Sequence, residues 1–132
     1  MLRLLAFGLI LPLGCSSVTG ETRGPYASEA DYLAQRTAAV AELSQSIGTP
    51  EASDVRMCRA IGFGEQACGG PTSFAVYSVA TADTVRVEAA AERVTRLDVD
   101  ANEQFGYVST CMLHLPPPLK VEAGVCASGL AP

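Results

Sequence analysis

The chain has 132 residues, room for one domain and little more. Its net charge of −5, with no basic cluster, argues against nucleic-acid binding, which needs a positive face. With no Trp and 6% aromatic residues, the interior must rely on Ala, Val and Leu, so a domain this small calls for crosslinks.

Residues 1–14 carry one basic residue, Arg3, followed by an apolar run from Leu4 to Leu13. The run is too short to span a bilayer and has the form of an export leader. Leu11-Pro12-Leu13-Gly14-Cys15 resembles the lipobox of bacterial lipoprotein precursors. That family favours Leu and a small residue where Pro12 and Leu13 stand, while Gly14 supplies the small residue before the cut. The resemblance implies a diacylglyceryl group on the Cys15 thiol, cleavage before Cys15, and acylation of the new amino terminus. It further implies attachment to the outer membrane or cell surface, with Ser16 of the type sorted to an outer membrane. Two or three acyl chains anchor stably, each buried CH₂ contributing ~0.8 kcal/mol. Residues 15–27 are rich in Ser, Thr, Gly and Pro and are expected to form a flexible tether. Residues 28–132 are then a single domain.

Within that domain Ser28 is placed to cap a helix over about 29–46, with Glu29 and Asp31 favoured in its first turn. Leu33, Val40, Leu43 and Ile47 are its predicted apolar stripe, and Gly48 with Pro50 ends it. Residues 49–55 read as a polar connector. Met57–Phe63 and Ser73–Val79 read as paired strands, separated by the glycine-rich text that runs to Gly69-Gly70-Pro71. A second helix is predicted over about 84–104. Its stripe is Val87, Ala90, Val94, Leu97 and Ala101, and Glu92–Arg96 and Arg96–Asp100 are i,i+4 pairs on the outer face. Asp83 or Thr84 starts it and Gly106 closes it. Tyr107–Leu115 reads as a strand broken by Pro116-Pro117-Pro118, and Leu119–Cys126 as another, interrupted at Ala123-Gly124. The expected class is α+β, two helices packed on a small, mostly antiparallel sheet and stapled by two disulfides.

Apart from Cys15, the cysteines are Cys58, Cys68, Cys111 and Cys126, an even count suited to two bridges in an exported chain. Three pairings are open; short, turn-rich loops favour Cys58–Cys68 with Cys111–Cys126. A Cys₄ zinc site wants close pairs, whereas nine, forty-two and fourteen residues intervene here. The Cys58–Pro71 text, together with Tyr77-Ser78, Asn102, Gly106, Cys111, Pro116-Pro117 and Cys126, also resembles a group of small secreted bacterial proteins. That resemblance implies only an exported disulfide domain.

Asp98-Val99-Asp100-Ala101-Asn102 matches the first half of a calcium loop. Glu103 and Ser109 stand where the turn Gly and the bidentate Glu should be, so Asp98, Asp100 and Asn102 are weak calcium candidates beside a solvated-helix alternative. Glu88, Glu92 and Asp98 are the carboxylates an acid–base site would use. Gly69-Gly70-Pro71 could turn backbone N–H groups towards an anion, but a tight turn after Cys68 is the preferred reading. His114 is the single histidine and has no readable partner. With no nucleophile, metal or phosphate-loop motif, no enzyme activity and no cofactor are expected. The expected role is a lipid-anchored, extracytoplasmic, non-enzymatic binding or structural module, in contact with the membrane and with a protein of the envelope. One alternative is an inhibitor offering the 59–67 loop to a protease; others are a carboxylate-dependent hydrolase and a calcium module.

Overall fold

The computed structural model describes residues 24–129; the predicted leader, Cys15 and residues 16–23 lie outside them. Helix α1 spans Glu29–Ile47, β1 Cys58–Phe63, β2 Ser73–Ser78, α2 Thr84–Phe105, β3 Leu119–Glu122 and β4 Val125–Ser128. The class is α+β, as expected, although the strands form two separate two-stranded antiparallel sheets, β1–β2 and β3–β4.

The helix ends follow their sequence signals. The Ser28 hydroxyl accepts from the Asp31 N–H, and Asp83 caps α2 by accepting from Val85 and Arg86. Gly106 closes α2 in the left-handed region, which only glycine enters without cost. The predicted α1 stripe holds at Leu43 and at Ile47, which packs against the same cluster, and departs in the first half of the helix. Tyr32, Ala39 and Leu43 are buried, whereas Leu33 is 51% exposed. On α2 the buried row is Val87, Ala91, Val94, Asp98 and Ala101, with Ala90 beside it. The helices run antiparallel, with Leu43 packing near Val87, Arg93 paired to Glu42, and Tyr107 just beyond α2 bonded to Glu29.

Pleating gives β1–β2 two different faces. Ile61, Phe63, Ala75 and Tyr77 pack on the helix pair with Leu43, Val87 and Ala91. Cys58 and Val76 point the other way, onto Cys126 of β4 and onto Leu119 and Val121 of β3. The molecule is therefore three layers deep: helices, first hairpin, second hairpin. A third small cluster of Tyr26, Tyr32 and Ala101, with Phe105 and Tyr107 against it, closes one end of the helix pair.

Four expectations are corrected here. The flexible tether does not extend to residue 27, because Tyr26 is 3% exposed, stacks on Phe105 and donates to the Leu97 carbonyl. Residues 49–55 are more than a connector, since Ala52 donates to Gly124 and Cys126 donates to Pro50 along the edge of β4. Residues 107–115 form no strand: Cys111 has φ +54° and the Pro run follows, so no neighbouring strand pairs with them. The interrupted strand at 119–126 is a hairpin whose turn residues, Ala123 and Gly124, both have positive φ, the geometry that suits the strand twist.

The disulfides are also redrawn. Cys58 bonds Cys126, with Cα atoms 5.5 Å apart, and Cys68 bonds Cys111, with Cα atoms 5.7 Å apart. The local pairing fails because Cys58 and Cys68 lie at opposite ends of the β1 arm, the length of the strand apart. Cys58–Cys126 is buried between the two hairpins, whereas Cys68–Cys111 is exposed. On loop-closure entropy each contributes about 4 kcal/mol. A non-reducing peptide map is expected to recover these two pairs and no local ones. Replacing Cys58 and Cys126 together with Ala should lower the melting temperature more than the Cys68 and Cys111 double change, because it also empties a packed site.

Candidate functional site

The polar centre of the molecule lies where α1, α2 and the end of β1 meet. Antiparallel packing sets Tyr32 and Arg36, one turn apart on α1, opposite Asp98 on α2. Asp98 Oδ1 accepts from Tyr32 Oη at 2.9 Å and from Arg36 Nε at 2.7 Å. Its Oδ2 accepts from Arg36 Nη2 at 3.0 Å and from the Glu65 N–H at 3.2 Å. A carboxylate offers about four lone-pair sites, and all are engaged here. Asp98 is 3% exposed, so the paired guanidinium is what makes burial of its charge tolerable. One helical turn on, Asn102 Nδ2 donates to the Glu65 carbonyl at 2.9 Å. Two α2 side chains thus satisfy both backbone groups of one loop residue, as a neighbouring strand would.

Gly64 makes that approach possible. It has φ +75°, and a Cβ there would overlap Thr72 Oγ1 and lie 2.7 Å from Asp98 Oδ2. The rest of the loop is held by its own groups. Gln66 N–H donates to the Gly70 carbonyl, Gly69 N–H to the Gln66 carbonyl, and Gly70 N–H to the Glu65 carboxylate. The N–H groups that could have faced an anion therefore serve a tight turn and one internal carboxylate. Gln66 also bridges outwards: its amide donates to the Met112 carbonyl at 3.1 Å, and its oxygen accepts from Ser109 Oγ at 3.2 Å. With the Cys68–Cys111 disulfide, these contacts fix the 107–113 segment beside the loop. The braced surface carries Val108, Met112, Leu113 and Leu115, exposed by 94%, 63%, 83% and 69%. Beside it, an open groove is lined by Tyr32, Leu33, Arg36, Gln66, Tyr107 and Ser109.

The other predicted site residues separate. Asp98 and Asn102 both turn to Glu65, and Asp100 is exposed, so the three calcium candidates do not converge. Among the described residues, no three His, Cys, Asp or Glu side chains form a metal-sized group. Glu88 and Glu92 stand exposed on the outer face of α2, Glu92 paired to Arg96 as expected. His114 is exposed on the 107–115 segment. The 59–67 loop is not free for presentation: residues 59–63 are paired in β1, and Glu65 is clasped to α2. Sequence reasoning missed Tyr32, Arg36, Gly64 and Gln66. A usable signal was there for the first two, because Arg36 and Asp98 each sit in the buried row of their helix. Compared with known protein families, curated proteins and solved structures, the chain matches none.

Breaking the clasp should cost stability. Asp98→Ala strands a partly buried guanidinium and is expected to remove about 3 kcal/mol. Gly64→Ala should also lower the melting temperature, whereas Glu88→Gln on the open face should leave it unchanged. The clasp also sets an alkaline limit. Burial first, then the hydrogen bond to Asp98, pushes the Tyr32 phenol from 10.0 up to about 12. The folded value exceeds the unfolded one, so this contribution to stability is complete below pH ~10 and is lost as pH rises through ~12. Denaturant melts across pH 9–12 should show that slope, and Tyr32→Phe should flatten it. Because the hydrogen bond to Glu29 pushes Tyr107 to about 12 as well, the melts are run with Tyr107→Phe in both the reference chain and the Tyr32→Phe variant.

Proposed function

We propose that this chain is a lipid-anchored disulfide domain on the outer side of a membrane, a non-enzymatic module that works by surface contact. The observation that carries the proposal is the pairing of four cysteines into two bridges between segments distant in sequence, Cys58–Cys126 and Cys68–Cys111. Such bridges persist in oxidising compartments, which agrees with the export leader and the lipobox-like text ending at Cys15. No helix of the described residues is long and apolar enough to cross a membrane; attachment here is assigned to lipid on Cys15.

The chemistry of the polar centre supports contact rather than catalysis. The acceptor sites of Asp98 are spent on Tyr32, Arg36 and Glu65, and that expenditure fixes the 64–71 loop. The loop in turn fixes the 107–113 segment through Gln66 and the exposed disulfide. A surface ordered in advance loses little conformational entropy when it binds. The contact surface assigned here is that braced end of the molecule.

Expression in a bacterial host that acylates lipobox cysteines tests the proposal. The wild-type chain is expected in the membrane fraction, cut before Cys15 and heavier by its acyl groups, with no thiol alkylated before reduction. Cys15→Ser should abolish the acyl mass. A chain recovered from the cytosol with its leader intact and five alkylatable thiols would overturn the proposal.

A further inference from the structure

Two features of the structure meet at one end of the molecule. The first is the point where the described chain begins. Gln104, in the last turn of α2, donates to the Tyr26 carbonyl at 2.8 Å and accepts from the Tyr26 N–H at 3.0 Å. Gly24 lies so close to it that any side chain there would collide with Gln104. The second is the exposed apolar segment, which starts just past α2 at Tyr107, bonded to Glu29. The described chain therefore begins at the end of the domain from which the segment bearing Val108, Met112 and Leu113 sets out. Nine residue steps separate Gly24 from Cys15; at no more than about 3.6 Å per step, an acylated Cys15 lies within roughly 32 Å of Gly24.

We propose that residues 108–115 are a membrane-contact surface. They lay their aliphatic side chains into the interface of the same lipid layer that holds the Cys15 acyl chains. The proposal rests on the lipid anchor assigned above and names the partner of the braced surface. Composition favours lipid over protein. From Tyr107 to Pro118 there is no Asp, Glu, Lys or Arg, and charged side chains are what the acyl region resists. The aromatic and Arg anchors that dominate protein interfaces are also missing between Val108 and Leu115. The net negative charge of the chain gives no attraction to anionic headgroups, which leaves apolar insertion as the contribution of this end. The Cys68–Cys111 bridge and Gln66 hold the segment in place before it meets the layer. Once the acyl chains are inserted, this end of the domain stays within reach of the surface, so weak insertion is reinforced by tethering.

The absence of Trp from the chain supplies the test. Leu113→Trp, or Val108→Trp as a second position, introduces a sole Trp in the segment. Val85→Trp introduces one in the first turn of α2, at the far end, where Val85 is 74% exposed. The full chain, acylated in the host and purified, is reconstituted into phosphatidylcholine vesicles with plain or dibrominated acyl chains. Trp at 113 or 108 is expected to shift to the blue and to be quenched roughly twofold by brominated lipid, as for a side chain at the acyl boundary. Trp at 85 should do neither. Acylated protein on the vesicles with Trp at 113 and 108 unquenched would overturn the contact surface and leave the anchor standing. A blue shift without bromine quenching would place the segment against protein and overturn the lipid assignment. Absence of an acyl mass on Cys15 would remove the anchor, and this orientation with it.

Discussion

One ion pair between two helices governs the polar architecture of this domain. Asp98 and Arg36 face each other across the α1–α2 seam in a bidentate arrangement. Asp98 could not be held there alone, because a desolvated charge without a counter-charge costs several kcal/mol. The remaining acceptor sites of Asp98 are then filled from Tyr32 and from the Glu65 backbone, and the loop after β1 is drawn onto α2. The last two turns of α2 serve the same purpose twice. Asp98 and Asn102 satisfy the backbone of Glu65, and Gln104 satisfies the backbone of Tyr26. A helix with few large apolar residues thus positions two irregular segments through polar side chains that pair with main-chain groups.

Among the described residues the apolar part of the fold is divided into three small clusters rather than one core. Taken together their buried members are Ala, Val, Leu, Tyr and Cys, with the first hairpin between the helices on one side and the second hairpin on the other. The second hairpin, of two four-residue strands, is too small to be stable by itself. It is held by the buried Cys58–Cys126 bridge and by pairing with residues 50–52. Covalent closure supplies what aliphatic burial in so small a domain does not.

Local signals in the sequence carried the helices, their caps and both hairpin arms, because capping, periodicity and turn chemistry act over a few residues. Long-range contacts were not legible in the same way. Pairing by loop length put Cys58 with Cys68, yet β1 runs its full length between them. The apolar stripe read from Leu33 shares only Leu43 with the row Tyr32–Arg36–Ala39–Leu43, which an arginine interrupts. Asp98, which reads in sequence as a calcium candidate or a solvated helix residue, continues the spacing of Val87, Ala91 and Val94. Two opposite charges, each interrupting the apolar row of its own helix, are a signal of a buried pair. It becomes visible only when the helices are considered together. Tyr107–Leu115 shows the reverse case, strand-forming residues for which the fold provides no partner.

The bridges are concentric: Cys68–Cys111 lies inside the span closed by Cys58–Cys126. A peptidase that cut the chain between Met112 and Pro118, a largely exposed stretch, would therefore release nothing. The fragment bearing β3 and β4 would remain bolted to β1 by sulfur, and the segment ahead of the cut would stay moored to the turn at Cys68. A nicked molecule keeps its two pieces together and its inner layer covered, so this exposed stretch is one whose severing the covalent frame withstands.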